Sequence, residues 1–135
     1  MKSLLFSTSI ALLLALSGCN NSSSTPAPSA REYTVEYSVS ATGSSTASVI
    51  GYAGPTGNLI QLTNIPLPAS YSFKRTLKQG DGLNIVASVA APTVATSITA
   101  TILLDGKAVQ TQTGSSTGGG TTGTSATANI SYVIP

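Results

Sequence analysis

Few side chains in this chain of 135 residues can transfer a proton, hold a metal ion or attack a substrate. It contains no His, and its single cysteine is Cys19. Serine and threonine number 21 and 19, but a hydroxyl becomes a nucleophile only beside a base that activates it. Charged residues make up 7% of the chain, against about 25% in typical globular domains. We therefore expect a protein that is not an enzyme, with no catalytic residues, no metal site and no cofactor.

The four carboxylates of the sequence do not form a catalytic pair. Glu32 and Glu36 lie four residues apart in a predicted strand, so they share one face at a separation of about 13 Å, too far for the paired acids of a glycosidase. Asp81 and Asp105 each precede a glycine, where a short carboxylate caps a turn. The sequence predicts two solvated strand residues and two turn residues.

The basic cluster of the sequence consists of Lys74, Arg75 and Lys78. In a strand, Lys74 and Lys78 share one face while Arg75 points to the other. Such a lysine pair keeps an edge strand soluble and unpaired, and contact with a lipid headgroup is the alternative. The formal net charge of +2 includes Lys2, so the rest of the chain is nearly neutral and we expect no nucleic-acid partner.

A glycine-rich stretch precedes the last predicted strand. Its Gly118-Gly119-Gly120 sequence is followed by no Lys and opens no helix, so it lacks the features of a phosphate-binding loop. We expect a flexible loop that joins the last two strands. The sequence leaves open whether the loop over residues 113–124 or a sheet face forms the binding surface.

The first nineteen residues have the features of an export signal. Lys2 precedes an apolar stretch over residues 4–16, and thirteen helical residues at ~1.5 Å each fall short of the ~30 Å hydrocarbon core. The stretch is therefore typical of a signal peptide rather than of a membrane span. The Leu16-Ser17-Gly18-Cys19 sequence that follows resembles the lipobox of bacterial lipoproteins.

That resemblance implies a covalent membrane anchor at Cys19. A diacylglyceryl group would be attached to the Cys19 thiol, and residues 1–18 would be removed by cleavage between Gly18 and Cys19. Two or three acyl chains hold a protein firmly at a membrane, at ~0.8 kcal/mol per buried CH₂ group. The alternative is an ordinary secretory signal that carries a cysteine by chance. A lone cysteine forms no intramolecular disulfide, so the domain has to be stable through its core alone.

The residues after Cys19 predict a destination and a tether. Asn20 stands where many diderm bacteria place the Asp of an inner-membrane retention signal. The resemblance therefore implies the outer membrane, facing the periplasm, in a diderm host and the cell surface in a monoderm host. Residues 19–30 hold no large apolar side chain after the lipidated Cys19, and their Ser and Pro content is typical of a flexible spacer.

Residues 31–135 have the size of one domain and a pattern of successive strands. In the first, Tyr33, Val35, Tyr37 and Val39 alternate with polar residues, which is the period of a half-buried strand. The same reasoning predicts strands over residues 31–42, 46–52, 58–62, 70–77, 83–89, 97–104, 107–113 and 125–134. No stretch has helical spacing. Seven or eight short strands separated by turn residues predict an all-β fold, an immunoglobulin-like antiparallel β-sandwich.

The alternation also predicts a core and one well-defined turn. Asp105-Gly106 suits a two-residue hairpin turn with a positive φ at both residues, which pairs Leu104 with Lys107. The expected core residues are Val35, Val39, Val49, Tyr71, Phe73, Leu83, Ile85, Ile98, Ile102, Leu104, Val109, Ile130 and Tyr132.

Four segments, in the order YTVEYSVSATG, ASVIGY, IPLPASYSFKRTLKQGDGLNIVAS and ITATILLDGKAVQTQTG, resemble the small mycobacterial membrane protein (MmpS) family. The resemblance covers about residues 33–114 and includes a Val-x-Tyr-x-Val strand, a Leu-Pro before a strand and an Asp-Gly hairpin. Ala100 stands where many members have a cysteine, and the transmembrane anchor of the family is missing. The resemblance implies an accessory subunit of a lipid exporter.

Two functions fit these features. The first is a non-enzymatic, lipid-anchored lipoprotein of the bacterial envelope, a monomeric binding or structural module with an envelope protein or lipid as its partner. The second is an accessory subunit or chaperone of an envelope export system for a lipid or small apolar molecule. A cavity between the sheets, lined by Val, Ile and Ala, would favour the second function, and a packed core would count against it.

Replacing the lipidated thiol tests the anchor. In its host the protein should fractionate with membranes and incorporate an alkyne-labelled palmitate, and Cys19→Ser should abolish both, because the acyl chains bind the membrane only through the thiol that carries them. Cell fractionation and in-gel detection of the label measure this. Wild type and variant that are equally soluble and unlabelled would show that the lipobox interpretation is wrong.

Overall fold

The computed structural model describes residues 29–120, 122 and 124–135. The predicted signal peptide over residues 1–18, the predicted lipidation and cleavage residues Gly18 and Cys19, and most of the predicted tether over residues 19–30 lie outside the described residues. The described part contains eight strands and no helix, hence no helix long and apolar enough to cross a membrane. The strands are β1 (Arg31–Thr42), β2 (Thr46–Ala53), β3 (Leu59–Pro66), β4 (Ala69–Leu77), β5 (Gly82–Ala90), β6 (Thr96–Leu104), β7 (Lys107–Ser116) and β8 (Ser125–Val133).

Alternation of inward and outward side chains produces these strands. In β6, every second residue from Thr96 to Leu104 is buried, and the residues between them are half-exposed. β-Branched Val, Ile and Thr side chains fit such a pleated, half-buried surface. All eight predicted strands are found. The largest differences in length are at β3, which continues to Pro66, and at β7, which continues to Ser116.

The strands form two antiparallel sheets of four, in the orders β4-β1-β6-β7 and β3-β2-β5-β8. The predicted all-β antiparallel β-sandwich is thereby confirmed. If the strands are numbered cyclically from β3, so that β1 and β2 become strands 7 and 8, the orders become 2-7-4-5 and 1-8-3-6, which is the strand order of a jelly roll. Immunoglobulin sandwiches have the sheets ABED and CFG instead. Alternation determines which face of a strand is buried, but it carries no information about which strands pair.

Most of the predicted core residues are buried between the sheets. Those that are buried are Val35, Val39, Leu83, Ile85, Ile98, Ile102, Leu104 and Ile130. Those that are half-buried against this core are Tyr71, Phe73, Val109 and Tyr132. The core also contains Tyr37, Ile50 and several alanines, among them Ala87, Ala100 and Ala128. The small side chains of these alanines allow the two sheets to approach each other closely.

The prediction for Val49 is wrong, because its neighbour Ile50 occupies the inward position. Ala47 and Ile50 are both fully buried, so the alternation of β2 slips by one residue between them. On the paired strand β3, Asn64 adopts a positive φ of 55° opposite this slip. Both strands therefore change their inward face at the same place and remain in register.

The turn between β6 and β7 has the predicted geometry. Asp105 and Gly106 have φ values of 51° and 79°, and Leu104 pairs with Lys107. Positive φ at both central residues matches the twist of the two strands. The turn is also bonded to β1, because the Asp105 carboxylate accepts a hydrogen bond of 2.9 Å from the Thr34 backbone N–H.

One side of the sandwich is closed where β7 meets β8. Gly114 lies so close to β8 that a Cβ atom there would overlap the Thr127 backbone. The Gln112 side-chain oxygen accepts a hydrogen bond of 3.0 Å from the Asn129 backbone N–H. The edge strands of the two sheets therefore cover each other on this side, which protects both from pairing with another chain.

Truncating one inward and one outward residue of β6 tests the core. Ile102 is fully buried, so Ile102→Ala should leave a cavity and lower the free energy of unfolding by ~2–5 kcal/mol. Its neighbour Leu103 lies on the outer face, and Leu103→Ala should cost less than about 1 kcal/mol. Urea denaturation of both variants measures the difference. Equal losses would contradict the observed faces of β6.

Candidate functional site

The sandwich has two ends that differ in their connection to the tether. β1 begins at Arg31, directly after the predicted tether, and we call this the tether end. Its loops comprise residues 54–58, 78–81 and 105–106. The opposite end, which we call the far end, comprises the loops over residues 43–45, 67–68, 91–95 and 117–124. The strand order alone assigns each loop to its end, because every neighbouring pair is antiparallel.

Charged residues are confined to the tether half of the described domain. Glu36, halfway along β1, is the one farthest from the tether end. The others are Arg31, Glu32, Lys74, Arg75, Lys78, Asp81, Asp105 and Lys107. The described residues of the far half therefore offer only backbone groups, hydroxyls, amides and apolar side chains to a partner.

The carboxylates of the tether half are surface and turn residues, as the sequence predicts. Glu32 accepts a hydrogen bond of 2.9 Å from Lys74, which raises the Lys74 pKa, and Glu36 accepts one of 2.8 Å from a serine of β4. Asp81 accepts a hydrogen bond of 3.0 Å from the Lys78 backbone N–H and closes the turn after β4. Among the described residues, no group of three or more His, Cys, Asp or Glu could hold a metal ion.

The structure separates the predicted cluster of cations. Lys74 points outward to Glu32, but β4 ends at Leu77 and Lys78 belongs to the following turn. The prediction that the two lysines share a strand face is therefore wrong. Arg75 points inward as predicted, and its Nη1 atom is buried without a hydrogen-bond partner.

An aromatic cluster occupies the core beside Arg75. The ring centroids of Tyr37 and Tyr52 are 5.2 Å apart, and Tyr52 stacks on Tyr71 at 4.7 Å. Burial raises the pKa of Tyr37 to about 12, although the Arg75 charge acts in the opposite direction. The Tyr37 hydroxyl lies near the Asn84 backbone N–H without forming a hydrogen bond. This tyrosine is a neutral core residue at physiological pH and not a proton-transfer group.

A pocket of about 330 Å³ opens at the far end. It lies between the β1–β2 turn, the end of β5 and Asn64 of the edge strand β3, and none of its lining residues is charged or aromatic. Its lining includes the polar residues Ser44, Thr46, Ser48, Asn64 and Thr93 and the apolar residue Pro92. Its volume is at the small end of the range for ligand pockets, ~300–1,000 Å³.

Backbone strain is concentrated in the walls of this pocket. Among the described residues, Asn64, Ala91 and Asp105 are the non-glycine residues with a positive φ, and the first two line the pocket. Ala91 has a φ of 43°, a conformation that costs an L-residue roughly 1–2 kcal/mol. Such conformations persist where the surrounding structure enforces them, and they cluster at functional sites.

Close contacts join the loops around the pocket. Gly43 approaches the β5–β6 loop so closely that a Cβ atom would overlap the Ala95 carbonyl oxygen. The Thr96 hydroxyl, which is buried, donates a hydrogen bond of 3.0 Å to the Val94 carbonyl. The Leu67 backbone N–H donates one of 2.9 Å to the Ser45 carbonyl. The far-end loops therefore form one connected layer.

The glycine-rich segment belongs to this layer, which corrects the expectation of a flexible loop over its described residues. The Gly120 N–H donates a hydrogen bond of 2.9 Å to the Pro92 carbonyl. A Cβ atom on Gly118 would overlap the Val94 backbone. Gly118, Gly119 and Gly120 all have positive φ values, so glycine is required by conformation as well as by contact. The segment supports the β5–β6 loop that forms one wall of the pocket.

Three polar side chains of the pocket, all on exposed residues, have no hydrogen-bond partner among the described residues: the Thr46 hydroxyl, the Asn64 amide and the Thr93 hydroxyl. In contrast, the Ser48 hydroxyl accepts a hydrogen bond of 2.9 Å from the Ala90 backbone N–H.

Sequence reasoning missed this pocket, because it arises where β2 pairs with β5 and brings residues 43–48 beside residues 89–93. The far-end turns were visible in the sequence, but their proximity was not.

Comparison with known proteins adds no relative. The chain matches no protein-family model, and no curated protein matches it. The resemblance to the MmpS family therefore rests on the quoted sequence segments alone. The fold and the pocket define an antiparallel β-sandwich with a small, uncharged pocket at the end opposite its tether.

High pH should destabilise the domain through Tyr37. A tyrosine of the unfolded chain ionises near pH 10, and Tyr37 in the folded chain does so only near 12. Between these values the unfolded state has lost a proton that the folded state keeps, so Tyr37 alone should lower the free energy of unfolding by about 1.4 kcal/mol per pH unit. Burial also raises the pKa of Tyr52 and of Tyr71, so these residues should add to the fall. Urea denaturation between pH 9 and about 12 measures this slope.

Tyr37→Phe is the control for that slope. It removes a hydroxyl that has no hydrogen-bond partner, so stability at neutral pH should be unchanged or higher. The fall in stability above pH 10 should become shallower in the variant. An identical slope in both proteins would mean that the Tyr37 hydroxyl titrates like an exposed phenol.

Two glycine variants test whether the glycine-rich segment is packed. Gly106 and Gly118 have φ values of 79° and 85°, so an alanine at either position carries a similar backbone strain. A Cβ atom on Gly106 meets open space, whereas one on Gly118 would overlap the Val94 backbone. Gly118→Ala should therefore lower the free energy of unfolding by ~1–3 kcal/mol more than Gly106→Ala. Equal losses in thermal or urea denaturation would mean that the segment is not packed.

Proposed function

We propose that this protein is a non-enzymatic, lipid-anchored binding module of a bacterial envelope, which presents the far end of its β-sandwich to another envelope component. The anchor is Cys19, and Leu16-Ser17-Gly18-Cys19 supports it. The site is the far-end pocket. No residue with catalytic chemistry takes part in the proposal.

The observation that carries this proposal is the position of the pocket relative to the tether. β1 begins at Arg31, beside the tether, and ends at Thr42, beside the pocket. Its 12 residues span about 35–40 Å. A lipid anchor at Cys19 would therefore leave the pocket on the part of the domain that is directed away from the membrane, where a second component can reach it.

The segregation of charge supports the same orientation. The charged residues of the described domain lie in the tether half, where ion pairs such as Arg31 with Asp105 balance one another. The far half is uncharged, and charge alone distinguishes it, because exposed apolar residues lie at both ends: Val94 at the far end, and Leu59 and Val133 at the tether end. The far end thus differs in chemistry from the end beside the tether, as expected for a domain with one contact surface.

The alternative is an accessory subunit or chaperone of an envelope export system, as in the MmpS resemblance. This function needs space between the sheets for a lipid or another apolar molecule. Side chains of Tyr37, Ile50 and Ile85, all fully buried, occupy that region. The pocket at the far end has polar walls. We therefore rank this alternative second.

In diderm bacteria the anchor would place the domain on the outer membrane, facing the periplasm, and in monoderm bacteria on the cell surface. The eleven residues between Cys19 and Arg31 can reach at most ~40 Å when fully extended. The partner is an envelope protein, lipid or other envelope polymer within reach of the tether and the domain together, about 75–80 Å from the anchor. The proposal includes no nucleic acid.

Photo-crosslinking in the host tests the proposal. p-Benzoylphenylalanine replaces Val94 at the far end or Lys107 at the tether end, both of which are exposed. Irradiation should produce a specific crosslinked product from position 94 and none from position 107, because only the far end contacts the partner. Mass spectrometry and carbohydrate staining of the product measure the outcome. Crosslinks of equal yield from both positions, or from position 107 alone, would contradict the proposed orientation.

A further inference from the structure

We infer that the far-end pocket binds a short, neutral saccharide. The inference deepens the proposed function, on which it rests, by naming the class of ligand. The pocket has hydroxyl and amide groups without a partner, walls without charge, and a volume of about 330 Å³.

The absence of charge excludes ionic ligands. None of the pocket residues is charged, and the nearest half of each sheet carries no charged residue either. A carboxylate, phosphate or ammonium group in this pocket would lose water and gain no opposite charge, which is costly. The ligand that fits this environment is polar and neutral.

The unpartnered side chains supply the hydrogen bonds that such a ligand needs. Thr46 and Thr93 each present a hydroxyl that can donate and accept, and the Asn64 amide has two donors and an acceptor. Sugar hydroxyls have the same double capacity. Hydrogen bonds between such groups can form in either direction, so this small set recognises a hydroxylated ring without a charged partner.

The apolar part of the wall matches the remaining surface of a sugar ring. Ala91 and Pro92 line the pocket and provide a small apolar patch, sufficient for ring C–H groups but not for a large apolar side chain. A volume near the lower limit of ligand pockets fits one or two sugar rings rather than a lipid chain.

A peptide ligand fits this pocket less well. Extended peptides bind by adding a strand to a free sheet edge or by placing side chains in apolar pockets. The edge strand beside the pocket is β3, and Asn64 interrupts its extended backbone there with a φ of 55°. The residues that line the pocket beside β3 form no deep apolar site for a peptide side chain.

The rigid surroundings favour binding by such a small set of contacts. Gly43 and Gly118 lie against the β5–β6 loop, and the Gly120 N–H is bonded to the Pro92 carbonyl. A wall that is ordered before the ligand arrives loses little conformational entropy on binding. This is the property that a pocket with few polar contacts requires.

The experiment is an NMR titration of the ¹⁵N-labelled, lipidated chain in a polyoxyethylene detergent, which contains no sugar. The neutral probes are maltose, cellobiose and N,N′-diacetylchitobiose, each at up to about 20 mM, since few contacts predict millimolar affinity. Digalacturonate and the tripeptide Ala-Ser-Ala are the charged and peptide comparisons. At least one neutral disaccharide should shift the amide signals of Thr46, Asn64 and Thr93, and leave that of Gly106 unchanged.

Two variants remove pocket groups without disturbing the fold. Asn64→Gly deletes the amide and suits a φ of 55°, so stability should be retained or increase while the dissociation constant rises at least tenfold. Thr93→Val removes one exposed hydroxyl and should weaken binding severalfold. Thr76→Val, on the outward face of β4 in the tether half, is the matched control and should bind like the wild type.

Three outcomes would overturn the inference: no shift with any neutral saccharide, binding of digalacturonate or the tripeptide alone, or shifts that persist in Asn64→Gly and Thr93→Val together. Photo-crosslinking separates this failure from failure of the proposed function. A specific crosslink from position 94 without saccharide binding would leave the binding module in place with a ligand of another class. If neither a specific crosslink from position 94 nor saccharide binding is observed, both proposals are overturned.

Discussion

Burial of apolar side chains between the two sheets is the interaction on which the rest of this domain depends. The single cysteine lies outside the domain, so no disulfide within the domain can assist, and no cluster of acidic residues, His or Cys among the described residues could hold a stabilising metal. Alanines such as Ala87, Ala100 and Ala128 keep the sheets close. The strands that supply the buried side chains must therefore keep apolar residues directed inward, as β6 does over its full length. Where β2 slips between Ala47 and Ile50, its partner strand changes face at the same level.

A core of this kind leaves the outer faces to polar groups, and here these are hydroxyls instead of charges. Neighbouring strands of one sheet pair their hydroxyls across the outer face, as Thr99 does with Thr113 at 2.7 Å and Thr101 with Thr111 at 3.1 Å. Cross-strand pairs of this type stabilise a sheet by a few tenths to about 1 kcal/mol each. On β6 and β7 these hydroxyl pairs take the place of salt bridges, whereas β1 and β4 of the same sheet carry the Lys74–Glu32 ion pair, and the described charges lie in the tether half.

Local pattern made the elements predictable, and long-range pairing limited what could be predicted about the site. Alternation identified eight strands, and Asp105-Gly106 identified a hairpin together with its register, because both signals act over a few residues. Val49 was assigned to the core because a slip in β2 depends on the φ of Asn64 in a different strand. The sequence predicted a flexible glycine-rich segment because the backbone of residues 92–94, which this segment contacts, is more than twenty residues away in the chain. The far-end pocket depends on the same kind of contact.

The outer face of the sheet and the far-end loops differ in the ligands that they can still bind. On the outer face of the sheet that contains β6, the threonine hydroxyls of β6 and β7 are paired with each other, so a ligand there would have to break one hydrogen bond for each that it makes. On β1 and β4 of the same face, the hydroxyls of Ser38, Ser40 and Ser72 have no partner among the described residues. At the far end, strands stop and loops of different lengths meet, which leaves Asn64 and Thr93 without partners and holds Ala91 in a strained conformation. A ligand that bonds these groups gains interactions without losing any within the protein. For this reason we propose the loop end of the sandwich, where small polar groups and strained backbone line a pocket, as the place of the binding function.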